Sequence, residues 1–501
     1  MQKSQTHTEE DLQTSRNSDS RYITTIGISL IAVLFLLFLI SMIFNSNGSN
    51  GEHAEVAQAV PVEDSLPAIE NFNEEMPQFW LQARALSTGN AGWGPDITAP
   101  FDTLWYMRSN AGREFFSSPA LVDGMLYFGC NDGNLRAVDA VTGSVKWTFG
   151  TACGICGEPA VDSTTVYFGG QDGVIYAIDR FSGNKLWSSG LGYHVFCDTG
   201  ILSDTLIVTG NSMGKVCALN ARTGEPVWDD EIGGIVLGPV IIDSMIIFST
   251  EGGEITAFDP SGNQLWSKDY SSQASPPSAD STGVYAGFSN GVVRKFSLDD
   301  GHVLWETDIV SSVSRCVMAR PVIAGNVVLS GTNDGQLVSL TAAGGSVIWR
   351  QNFDNWLQLP PVVGEELVYI ACDDQRLHIV ELETGAKVDS LEMDGYSGTA
   401  PLLQNGTIFY GNTSGDFVAL LGTIREEESI EPVEEQPEEQ PEEQPEEQPE
   451  EQPEEQPEEQ PEEVIEEVVV EDEEAPAEMI QALPENTDDE PACDTDSTET
   501  E

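Results

Sequence analysis

Basic residues are scarce in this chain: 21 Lys and Arg stand against 84 Asp and Glu in 501 residues, for a formal net charge of −63. A surface this acidic repels phosphate backbones, which excludes nucleic acid as a partner; its simplest benefit is solubility. Cysteine is thin too, eight residues with no two adjacent. The spacing C-x-x-C occurs once, at Cys153 and Cys156. A zinc site wants a second such pair, and a thioredoxin-like site wants the motif to open a helix, so neither is well supported.

Long apolar runs are absent with one exception, "YITTIGISLIAVLFLLFLISMIF" from Tyr22 to Phe44, which carries no charge. At 1.5 Å per residue it is long enough to span a hydrocarbon layer of roughly 30 Å. Lys3, Arg16 and Arg21 precede it, and no further Lys or Arg occurs until Arg84. That asymmetry predicts a single-pass signal anchor, with residues 1–21 cytoplasmic and everything after Phe44 periplasmic or extracellular; a cleaved signal is the alternative. No cysteine follows the run closely, the first being Cys130, which argues against lipid attachment.

The middle of the chain is repetitive. "AVDAVTGSVKW", ending at Trp147, returns with variations ending at Trp187, Trp228, Trp266, Trp305 and Trp349, at spacings of 38 to 44 residues. "VELETGAKVD" is a degraded copy with Asp389 in the Trp position. Each copy is preceded by short alternating apolar runs with Gly/Asn/Asp turns, giving four short strands per repeat. The Asp and Thr of D-x-x-T-G suit a hydrogen-bonded turn, and its Gly suits a bulged hairpin. Prolines at 119, 159, 239, 321, 361 and 401 fall at the start of the first strand, where an edge position loses no ladder donor.

Four strands at about 40 residues predict an all-β, eight-bladed β-propeller of four-stranded blades. The last repeat lacks a closing strand, and "FDTLWYM" around Trp105 supplies one from the N-terminal side, closing the ring. The expected organisation is a flexible linker over 45–78, the propeller over 79–422 and an acidic tail over 423–501. The tail holds seven copies of EEQP between Glu434 and Pro461. With 35 acidic residues and no Lys or Arg from Glu426 onward, it is expected to be disordered. "VIEEVVV" at 464–470 is a candidate docking segment within it. The linker, treated as a coil, would hold the propeller roughly 30 Å from the membrane.

The A-x-D-x-x-T-G-x-x-x-W repeat, with "TGNAGWGP" upstream, resembles the tryptophan-docking motif of pyrroloquinoline-quinone (PQQ) repeat propellers over about Phe79 to Gly422. That superfamily contains quinoprotein dehydrogenases and cofactor-free scaffolds, among them the BamB lipoproteins of outer-membrane β-barrel assembly. The dehydrogenases resemble one another in an adjacent cysteine pair and in long loops over the quinone, which this sequence lacks, and a buried quinone wants several cationic donors, of which the core has few. The resemblance therefore implies a non-enzymatic scaffold with no cofactor, monomeric, that binds envelope proteins. The rival readings are a PQQ-dependent dehydrogenase or a small-ligand sensor. The membrane anchor and acidic tail depart from the BamB pattern.

In this strand order the links between blades share a face with the turns joining second and third strands. Cys153, Cys156, Cys197 and Cys316 fall in or beside links, and Cys130 and Cys372 in such turns. Cys130, Cys153, Cys156 and Cys197 are thus a candidate cluster, read as a disulfide staple or as small buried thiols. Glu158 and Arg320 precede first-strand prolines in opposite blades and are expected to face each other across the channel. With His194 and Asp198 they form a candidate binding site at the channel mouth.

Overall fold

The structure is a computed structural model that describes residues 92–310, 317 and 319–425. The apolar run 22–44, the linker, the EEQP tail with its 464–470 segment, and Cys316 lie outside the described residues. Among the described residues no helix is long and apolar enough to cross a membrane.

Eight sheets form the propeller. In the first blade, β3 (Ala120–Val122), β4 (Met125–Gly129), β5 (Asn134–Asp139) and β6 (Val145–Gly150) run antiparallel in that order. Six further four-stranded blades repeat this meander through Glu392. First strands of successive blades pack against one another, so they line the axis while the fourth strands form the rim. Five of the six marked prolines immediately precede a first strand, starting at Ala120, Ala160, Val322, Val362 and Leu402. Pro239 instead lies inside Val236–Ile242, at an irregularity between Leu237 and Val240. Both placements spare the ladder a missing donor.

The eighth blade combines both ends of the propeller. Strands Leu402–Gln404, Thr407–Gly411 and Asp416–Ile424 are completed on the rim by β2 (Ile97–Arg108), with Trp105 opposite Ala419. This is the expected closure. Two details differ from expectation. The last strand continues to Ile424, because β2 is long enough to pair Ile97 with Ile424. A short β1 (Gly92–Trp93) also adds to the axial edge, parallel to Leu402–Gln404, making this blade five-stranded. The ring is sealed by aromatic packing, Phe128 of the first blade stacking on Phe417 of the eighth at 3.8 Å.

Asp96, between β1 and β2, latches this end to blade seven. Its carboxylate accepts the Glu366 and Leu367 amides at 2.5 and 2.9 Å and the Tyr369 hydroxyl at 3.3 Å. A buried carboxylate is tolerated because it is fully hydrogen-bonded.

Every docking tryptophan acts across a blade boundary. The indole N–H of Trp105, Trp147, Trp187, Trp228, Trp266, Trp305 and Trp349 donates to a carbonyl in the next blade, those of Ala140, Arg180, Ala221, Pro260, Leu298, Ala342 and Leu382 respectively, at 2.8–3.1 Å. The D-x-x-T-G glycine has two jobs. At Gly143 φ is +67°, and a Cβ there would lie 2.6 Å from Cδ2 of Trp105. The residue must be left-handed and must also leave room for the indole. Blade seven has Asp389 because its neighbour has no such hairpin: the last two strands of blade eight come from opposite ends of the propeller. Asp389 instead accepts the Ala99 amide of β2 at 3.0 Å.

Candidate functional site

The links between blades and the second-to-third-strand turns share one face, as expected, and the backbone stitches them together. Asn131, Gln171, Ser212, Ser289, Asp373 and Thr413, each in a turn, donate main-chain N–H groups to link carbonyls of Glu114, Gly154, His194, Gln273, Trp356 and Tyr396. This link face carries the exposed side chains Tyr193, Met213, Trp356 and Tyr396. The opposite face exposes Phe181, in the D-R-F-S-G turn.

At the axis, Arg320 of blade six reaches Asp198 of blade three, Nη2 to Oδ2 at 2.8 Å. The other oxygen of Asp198 accepts the main-chain N–H of Glu158, blade two, at 3.1 Å. The structure therefore gathers Glu158, Asp198 and Arg320, but the acid that closes on Arg320 at this distance is Asp198, and Glu158 joins through its backbone. Arg320 is buried, 8% of its side chain being exposed, whereas Asp198 retains 25%. The pair is a strut across the ring, linking links that lie 122 residues apart in sequence. His194 is held separately, its Nδ1 against the carbonyl oxygen of Gln171 and its ring 5.5 Å from Phe196.

No disulfide joins the described cysteines. Cys130, Cys153, Cys156 and Cys197 are all free thiols, as are Cys217 and Cys372. The thiol of Cys130 donates to the Glu114 carbonyl at 3.3 Å. Cys156 accepts from the Gln171 amide at 2.8 Å. Cys197 accepts the Gly210 N–H at 2.9 Å, doing there what the hydroxyls of Ser117, Ser275 and Thr399 do for Gly129, Gly287 and Gly411. In place of a disulfide staple stand unbridged thiols, three of which, Cys130, Cys156 and Cys197, serve as hydrogen-bonding groups. Burial pushes Cys156 and Cys197 up to about 12 and raises Cys130 and Cys153 as well, with nearby Asp132 and Asp172 adding to the last two. Thiols held protonated in this way are poor nucleophiles.

One grouping escaped sequence reasoning. Cys372, Asp374 and His378 in blade seven bring their ligand atoms within 4.8 Å of one another. The signal is present as C-x-D-x-x-x-H, of which the strand order singles out Cys372 alone, as a turn residue.

A family model described as outer membrane protein assembly factor BamB matches residues 102–194, 171–317 and 289–436. Among curated proteins, BamB of Burkholderia pseudomallei is 26% identical over 304 residues, covering 58% of this chain and 68% of the relative. BamB of Yersinia pestis is 22% identical over 229 residues, covering 42% of this chain and 58% of its own length. The chain thus spans about three fifths to two thirds of these relatives. Among solved structures, BamB from Moraxella catarrhalis superposes with a TM-score of 0.55 at 16% identity, covering 64% of this chain and 99% of that one. Quinohemoprotein alcohol dehydrogenase from Comamonas testosteroni gives 0.58 at 12% identity, covering 70% and 82%. At such identities the structures share the fold and nothing more.

Proposed function

Because the chain belongs to the outer membrane protein assembly factor BamB family, we propose that it is a non-catalytic scaffold in outer-membrane protein assembly, docking an envelope partner on its link face. The observation that carries this reading is the asymmetry of the two faces. Tyr193, Met213, Trp356 and Tyr396 stand exposed on short links and turns that the backbone bonds hold in place. Rigid aromatic anchors on a fixed frame are what a protein-binding surface needs.

The channel mouth supports the same reading. Arg320, a cation that could hold an anionic ligand, is engaged by Asp198 from within the protein. We propose further that residues 22–44 tether the propeller to the membrane, with the link face free to meet its partner.

Photo-crosslinking in cells tests this. A photoreactive residue at Tyr193 or Trp356 of the tagged full-length chain is expected to capture a component of the β-barrel assembly machinery, and one at Phe181 to capture none. Equal capture from both faces, or recovery only of envelope proteins unrelated to that machinery, overturns the reading.

A further inference from the structure

Blades one and seven carry the same three-residue arrangement with one change. In blade one, Cys130 directly follows the second strand, Asp132 lies in the turn and Arg136 in the third strand, with Arg136 opposite Phe128 in the ladder. In blade seven, Cys372, Asp374 and His378 occupy the equivalent positions, with His378 opposite Ile370. In the first, Arg136 pairs with Asp132 in a buried ion pair, and the site is closed by its own charge. In the second, a fixed cation is replaced by an imidazole, which can ligate as well as pair.

We propose that Cys372, Asp374 and His378 form a binding site for a zinc-class divalent cation. They are the one such grouping among the described residues, their ligand atoms lying within 4.8 Å of one another. Thiolate, imidazole and carboxylate together are the donor set that suits zinc or cobalt and disfavours magnesium or calcium. Nε2 of His378 already faces Oδ2 of Asp374 at 2.7 Å, so one ion inserted between them would replace a single hydrogen bond. The second carboxylate oxygen of Asp374 accepts the Arg376 N–H at 3.0 Å and fixes the group in its turn. Phe353 packs 4.7 Å from the imidazole and braces the ring. The Cys372 thiol donates to the Asn355 carbonyl at 3.4 Å, and that oxygen or a water completes a fourth position. Binding breaks the S–H bond, forms a sulfur–metal bond and releases one proton to solvent, so affinity rises with pH.

The ion would also bear on the link face. Asp373, between two of the ligands, donates to the carbonyl of exposed Trp356, and Asn355 donates to the carbonyl of Asp373. A metal at this turn would brace the adjoining link.

Titration of the full-length protein in detergent with cobalt(II) tests the proposal, because a thiolate–cobalt charge-transfer band distinguishes this site from carboxylates elsewhere on so acidic a chain. The expected result is a band saturating at one equivalent, retained in Cys130→Ser and lost in Cys372→Ser. In His378→Arg, which installs the blade-one ion pair and so preserves folding, affinity is expected to fall at least tenfold. Absence of the band, cobalt absorption without thiolate character, or a band unchanged in His378→Arg or Cys372→Ser overturns the proposal.

Discussion

The strut between Asp198 and Arg320 makes a quantitative demand on the ring. Two unit charges about 4 Å apart attract by about 4 kcal/mol at an effective dielectric of about 20. Asp198 is a quarter exposed, so solvent screens part of that attraction, while Arg320 is buried and would lose its carboxylate on truncation of the acid. Breaking a fully buried pair costs roughly 3–5 kcal/mol. With the screening at Asp198, Asp198→Ala is expected to cost about 2–3 kcal/mol, part of it from the Glu158 amide losing an acceptor. Arg320→Met leaves Asp198 its water and its amide partner, so about 1–2 kcal/mol is expected. The double variant should cost no more than Asp198→Ala alone, giving a coupling energy of about 1.5 kcal/mol or more. Urea unfolding followed by tryptophan fluorescence measures all four corners of the cycle. If the single effects add to within about 0.5 kcal/mol, the two residues do not act as a strut and the reasoning fails.

The docking rule predicts unequal outcomes at equivalent positions. Trp187→Phe removes a buried hydrogen bond to the Ala221 carbonyl and should lower stability by about 1–2 kcal/mol. Asp389→Trp should bring no gain by the same urea assay, since blade eight offers no turn to receive the indole; a clear gain would refute the rule. Glu251, in the turn between the second and third strands of blade four, sets a pH dependence. Burial pushes its carboxyl up to about 7 from an ordinary 4.5, so its folded form favours the proton. Its contribution is complete below about pH 4.5 and is lost as pH rises through 7. Glu251→Gln should therefore raise the melting temperature at pH 8 relative to the parent and have little effect at about pH 4. An equal effect at both pH values would refute this.

The propeller was legible in the sequence because its determinants are local and repeated. The D-x-x-T-G turn, the strand alternation and the Trp at a fixed offset each act within one hairpin, and repetition separates them from chance. Ring closure was legible for the same reason: a blade short of one strand and an unpaired strand upstream imply each other. Even Asp389 in place of Trp marks the blade whose neighbour lacks a hairpin, although only the assembled ring explains why.

What the tertiary structure alone decided are the encounters between distant blades and the choices among rotamers. Asp198 and Arg320 belong to links whose separation depends on how eight blades close around an axis, and no spacing in the chain encodes that distance. Asp96 reaches the Glu366 and Leu367 amides across roughly half the chain only once β1 and β2 lie against blade seven. Cys130, Cys156 and Cys197 share a face, but their thiols are engaged by the Glu114 carbonyl, the Gln171 amide and the Gly210 N–H, partners that spacing in the chain does not reveal. Cys372 and His378 show the boundary between the two kinds of information. Their spacing was visible, but that it joins three ligands follows only from the register of one hairpin and from comparison with its counterpart in blade one.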